Sequence, residues 1–196
     1  MSRPLSDDDL ARFQTQLCDV AERLFAEHGA ENVSMRQIAG ALGVSPMTPY
    51  RYFANREEIL TAVRIRGFER FAAALESAYA EAAGDSDAKA VAAGHAYLAF
   101  AFAQPNTYRL MFEHRQQEDA DDGPLGRAVA RARATLSVIG DDLVARGVPE
   151  AEARGAEALI WSALHGAAAL ELAGTMPEGS AEQTLAMLAR TLVLRG

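Results

Sequence analysis

Arg36, Thr48, Tyr50, Arg51 and Tyr52 share a stretch of unusual charge. No Asp or Glu occurs between Asn32 and Arg56, in a chain whose formal net charge is −8. Arg51 carries a planar guanidinium fork of the shape that reads a guanine edge. Thr48 suits a phosphate or a thymine methyl, and the hydroxyls of Tyr50 and Tyr52 suit phosphate oxygens. Arg36 can reach a neighbouring base or phosphate. Arg56 opens a helix, where backbone N–H groups already favour an anion. These residue types offer recognition of a polyanion, not covalent chemistry. A stretch that served packing alone would have no reason to exclude acids.

Such side chains need a narrow element that fits a major groove. Ser34 can cap a short helix from Met35 to Leu42, with Ile38, Ala39 and Leu42 inward. Gly43-Val44 is a tight turn, and a second short helix is expected from Ser45 to Phe53. Helix, glycine turn and short helix together make a helix-turn-helix. On a helical wheel Met47, Thr48, Arg51 and Tyr52 share one side, while Pro49 and Phe53 face the core. With Ser45 as N-cap, Pro46 takes the first helical position, where proline is favoured. Pro49 then loses only the bond to the Ser45 carbonyl. The prolines remove backbone donors from the end nearest DNA, which shifts readout onto side chains. Ser34 and Ser45, at the two helix starts, complete the expected DNA contacts.

The rest of the chain reads as all-α, with about nine helices and no strand alternation. Ser6 to Asp9 begins a first helix whose inner face carries Phe13, Leu17, Leu24 and Phe25 and which ends near Gly29. Asn55 followed by Glu58 has the spacing of a capping box. It opens a long helix with Ile59, Leu60, Val63, Phe68, Phe71 and Leu75 inward. Further helices are expected over 88–103, from Pro105, from Pro124 to Gly147, from Pro149 to Gly174 and from Ser180. The last carries Leu185, Leu188, Leu192 and Val193 on one face. The acidic stretch from Gln116 to Gly123 reads as a mobile loop.

Composition narrows the function classes. Apolar residues make up 49% of the chain, enough for a sizeable core, and no run approaches the roughly 20 apolar residues of a membrane span. The N-terminus leads into acids and not an apolar signal segment, so a cytoplasmic protein is expected. The single Cys18 excludes an internal disulfide and reads as a half-buried filler. No Gly-x-Ser-x-Gly, phosphate loop or His-Glu-x-x-His occurs, so neither an enzyme nor a cofactor is expected.

The run "LFAEHGAENVSMRQIAGALGVSPMTPYRYFANREEILTAV" resembles the DNA-binding domain of the TetR (tetracycline-repressor-like) family. Phe25, Gly29, Ile38, Ala39, Gly43, Val44, Ser45, Tyr50, Phe53 and Arg56-Glu57 carry the likeness. Pro49 departs from it, since the family more commonly has a larger aliphatic residue there. "LIWSALHGAAALEL" resembles the Trp…His-Gly signature of one class of TetR C-terminal ligand domains, at Trp161, His165 and Gly166. "PNTYRLMFE" also occurs in that class. The resemblance implies a homodimeric regulator, usually a repressor, bound to double-stranded operator DNA and responsive to a small-molecule effector. Residues 1–55 would bind DNA, and 56–196 would hold the effector and the dimer interface. Tyr97, Phe100, Phe102, Tyr108, Met111, Phe112, Trp161 and His165 are the candidate lining of an aromatic effector cavity. Two other readings exist: a helical protein-interaction module, and a metal-sensing regulator using His95, His114 and His165.

Overall fold

The computed structural model describes residues 7–113 and 123–193. Among them all regular structure is helical. The Ser6 cap, His114, the acidic loop before Gly123, and the side chains of Leu192 and Val193 lie outside the described residues. The helices are α1 (Asp7–His28), α2 (Met35–Ala41), α3 (Arg56–Glu81), α4 (Ser86–Ala103), α5 (Pro105–Glu113), α6 (Pro124–Ala145), α7 (Glu150–Leu172) and α8 (Ser180–Val193). Eight of the nine expected helices are therefore α-helical.

Local chemistry explains the ends that frame the N-terminal unit. Ser34 closes a capping box: its Oγ accepts from the Gln37 N–H at 3.3 Å, and Gln37 Oε1 accepts from the Ser34 N–H at 2.8 Å. α2 ends on Gly43 at φ +67°, with Val44 N bonding Ala39 O at 3.0 Å and Gly43 N bonding Gly40 O at 3.1 Å. This is the paired bonding of a Schellman end, which needs a left-handed residue. Asn55 Oδ1 accepts from Glu58 N at 2.9 Å, and the Glu58 carboxylate accepts from Ala54 N at 2.7 Å. The box expected at α3 therefore reaches one residue further out.

The ninth helix, expected over 45–53, is not α-helical. Only Pro49–Arg51 forms a 3₁₀ turn. Pro49 has no N–H to give to the Ser45 carbonyl, so Thr48 N takes that carbonyl at 2.8 Å, one residue early. Arg51 N then bonds Thr48 O at 3.1 Å, and Tyr52 N bonds Pro49 O at 3.0 Å. The i→i+3 pattern tightens the segment to a single turn. Pro49 itself is fully buried, as its place on the inner face required. Pro49→Leu is expected to keep fold and DNA binding, with a melting temperature within about 5 °C of the parent. Thermal melting checks this, and a variant that does not fold would show that the proline ring sets the turn.

Two apolar clusters share α3. Ile59, Leu60 and Val63 pack with Leu17, Phe25, Val33 and Ile38 of the N-terminal helices. Phe68, Phe71 and Leu75 pack with α4 to α8. α5 is shared in the same way: Leu110 enters the N-terminal cluster, while Tyr108 and Met111 enter the other. Gly67 permits this close approach, since a Cβ there would lie 2.8 Å from Met111 Cγ.

Candidate nucleic-acid interface and ligand cleft

The single turn at 45–53 presents a small set of side chains. Met47 is 67% exposed and Tyr50 49% exposed; Arg51 and Ser45 are exposed and Thr48 half-buried. Tyr52 is half-buried, its ring tilted 32° against Phe13 of α1 at 4.7 Å between centroids. That contact ties the turn to α1. Arg36 is exposed on the first turn of α2. Neither Arg36 nor Arg51 has an ion-pair or hydrogen-bond partner among the described residues, so both guanidinium groups are available.

Arg56 is placed differently from the expected phosphate contact. Its Nη1 donates to Ala30 O at 2.9 Å and Glu31 O at 2.8 Å. Its Nε donates to Glu57 Oε1 at 2.9 Å, and Nη2 bonds the same carboxylate. The side chain thus fastens the 3₁₀ turn Ala30–Asn32 to the start of α3. Arg56→Ala is expected to cost about 1–2 kcal/mol of stability and to leave the salt dependence of DNA binding unchanged. Thermal melting with salt-titrated binding separates this from a phosphate role, which would lower the slope by about one unit.

The C-terminal helices enclose a small cleft that opens to solvent. Leu75, Leu136, Ile139, Ile160, Leu164, Leu185 and Leu188 form apolar walls, and Tyr97 and Trp161 line it as well. Ser86, Asp87 and Asp142 give the polar edge. Arg146 spans that edge, with Nη1 and Nη2 on Asp87 at 3.0 and 2.9 Å and Nη2 on Asp142 at 2.5 Å.

Of the other expected lining residues, Phe102 is exposed outside the cleft and the rest pack beside it. Phe100, Tyr108, Met111, Phe112 and His165 do not line it. Phe71 meets Tyr97 at 4.9 Å and Phe100 at 5.2 Å, and Phe112 meets His165 at 4.5 Å. These edge-to-face and tilted contacts fill the space that an aromatic cavity would need. The Tyr108 hydroxyl lies 2.8 Å from that of Tyr97 and 2.7 Å from His165 Nδ1. Burial pushes both phenols up, Tyr108 to about 12 and Tyr97 further, and pulls His165 below its ordinary value. All three are then neutral at pH 7, a state in which Tyr97 can donate to Tyr108 and Tyr108 to Nδ1.

Residues 17–63 match the tetR family of bacterial regulatory proteins, and residues 90–193, more than half the chain, match the tetracyclin repressor-like C-terminal domain. The chain belongs to the TetR family. HTH-type transcriptional regulator Rv1816 of Mycobacterium tuberculosis (strain H37Rv) is 26% identical over 106 residues, 54% of this chain and 45% of that relative. The match thus spans less than half the length of that curated relative. A protein of unknown function from Rhodococcus sp. RHA1 is 25% identical with a TM-score of 0.79, covering 97% of this chain and 96% of that one. FadR from Bacillus subtilis, solved in complex with stearoyl-CoA, is 18% identical with a TM-score of 0.73. It covers 89% of this chain and 97% of that one, and shares the fold.

In this TetR-family chain, sequence reasoning brought Tyr97 and Trp161 to the cleft and missed the rest of its lining. A signal was present: Ala90, Ala93, Gly94 and Tyr97 share one face of α4, and small residues there leave room. A second apolar surface lies outside the cleft, where Leu159 and Leu170 of α7 and Met187 of α8 are exposed. Gly155 and Gly166 fall on the same stripe of α7 with open space beside them. Among the described residues no group of His, Cys, Asp or Glu is placed to hold a metal, and no helix is long and apolar enough to cross a membrane.

Proposed function

We propose that this TetR-family transcriptional regulator is a ligand-responsive repressor. It binds a palindromic operator as a homodimer and leaves it when a small, mostly apolar effector enters the C-terminal domain. That domain is of the Trp…His-Gly class, and the protein works in the cytoplasm.

One observation carries the DNA reading. Arg36 and Arg51 are exposed and unpartnered within a surface that has no carboxylate from residue 33 to 56. Several arginines elsewhere pair with acids, Arg66 with Asp19, Arg131 with Glu76 and Arg154 with Asp141, while Arg133 of α6 is exposed without a partner among the described residues as well. Unpaired guanidinium groups kept free of acids are what a polyanion requires. Ser34, Ser45, Met47, Thr48, Tyr50 and Tyr52 surround them. The apolar stripe on α7 and α8 supports dimerisation through these helices, which would set two reading turns in successive major grooves about 34–36 Å apart. The apolar cleft supports the effector.

Footprinting on the promoter region beside the protein's own gene tests this reading. A single protected palindrome is expected, and its protection should weaken when the effector is added. Absence of protection over that region and at random sites alike would overturn it in favour of a helical interaction module.

A further inference from the structure

The effector cleft has an uneven charge. Of its lining residues only Asp87 and Asp142 are ionisable at neutral pH, and no Lys, Arg or His lines it. Both acids sit at one end, at the N-terminus of α4 and near the C-terminus of α6. That end is also the wetter one: the carboxylate side chains are 26% and 32% exposed, whereas Tyr97 and Leu164 are 2% and 3% exposed. Arg146 bridges both carboxylates from outside the lining as a single positive charge, and Lys89 Nζ stands 6.0 Å from the ring of Tyr79, another lining residue. From Asp87 to Tyr97 the cleft follows α4 for ten residues, about 15 Å at 1.5 Å per residue.

A second feature marks the cleft as a binding site and not a packing fault. Thr135 lines it, is 7% exposed, and has no side-chain hydrogen-bond partner among the described residues. Its neighbours of the same type differ: Thr15, Thr184 and Thr191 each return their hydroxyl to a carbonyl four residues back. A hydroxyl without an internal partner, on a residue that lines a cleft, can hydrogen-bond a molecule that enters it.

Resting on the effector reading above, we propose that the ligand is an apolar cation. It would be an elongated hydrophobic amine whose charged end displaces part of the Arg146 bridge and lies between Asp87 and Asp142. Its apolar body would run inward past Ile139 to Trp161. An anionic amphiphile has no cation to meet in the lining and would face two carboxylates.

The test uses the full chain and its only tryptophan, Trp161, which lines the cleft and reports occupancy through its fluorescence. Dodecylamine, dodecanol and dodecanoate are titrated below their micelle concentrations at neutral pH. The amine is expected to bind about tenfold tighter than the alcohol, as one half-buried ion contact gives, and the carboxylate weakest. In Asp87→Asn/Asp142→Asn the amine should fall to the level of the alcohol, with alcohol binding unchanged as the control for folding. Equal affinities for all three would overturn the cation assignment and leave an apolar effector site standing. Tightest binding by dodecanoate would overturn it in favour of Arg146 as an anion anchor. No response to any probe would overturn the assignment together with the effector reading.

Discussion

Arg51→Ala is expected to weaken operator binding by about 1–3 kcal/mol, roughly 5–150-fold, while binding to random DNA falls much less. The size follows from how few groups the reading element presents. Pro46 and Pro49 supply no N–H, and the segment closes only one 3₁₀ turn, Pro49–Arg51. Backbone donors at its leading end are therefore scarce, and Tyr52 is held against Phe13. Arg51 is the basic residue of that turn, and its guanidinium has no internal partner to lose. Replacement by Ala removes a contact to DNA without leaving an orphaned group in the protein, so the free protein should melt as the parent does. Competition binding of operator against scrambled duplex at fixed salt measures the effect. Equal losses on both would assign Arg51 to phosphate and move sequence reading to Arg36 and Thr48.

The sequence disclosed elements whose chemistry is local. The Ser34–Gln37 box, the Gly43 turn and the Asn55 cap each depend on residues within five positions, and each forms. Charge was legible for the same reason, since an acid-free window needs no fold to be seen. The 45–53 helix failed because two nearby effects compete. Proline is favoured at the first helical position, yet a second proline three residues on removes the bond that would carry the helix into its next turn. The internal role of Arg56 was hidden for a non-local reason: its partners are carbonyls at Ala30 and Glu31, brought near only by folding. The position of the cleft was hidden for a similar reason. Ring content along α4, α5 and α7 reveals which residues meet but not whether they leave space. That depends on Phe71, which fills the centre. The cleft lies beside it, where Ala90, Ala93 and Gly94 recess the wall.

Thr107→Val is expected to uncouple the two halves of the protein. Glu22 of α1 accepts from Arg70 of α3 at 2.7 Å and from the Thr107 hydroxyl of α5. Thr107 is buried and adjoins Tyr108, whose hydroxyl touches that of Tyr97 on the cleft wall. Leu110, one turn further on, already belongs to the N-terminal core. A ligand that shifts Tyr97 therefore acts on α5, and α5 holds α1 through one polar bridge and one apolar side chain. Val keeps the shape of Thr and removes only the hydroxyl, and the Arg70–Glu22 pair remains. Coupling between two such sites is typically about 1–3 kcal/mol, roughly 5–150-fold in affinity. In the variant the ligand-induced loss of operator affinity should shrink to about threefold or less, a coupling of about 0.6 kcal/mol. Operator affinity without ligand and the Trp161 response to ligand should both stay near the parent. Measuring all three on one preparation separates a broken link from a broken site. If the ligand still releases the variant as strongly as the parent, the Thr107 hydroxyl is not part of the link. The motion must then pass along α3, which is continuous from Arg56 at the DNA-facing unit to Leu75 in the cleft wall.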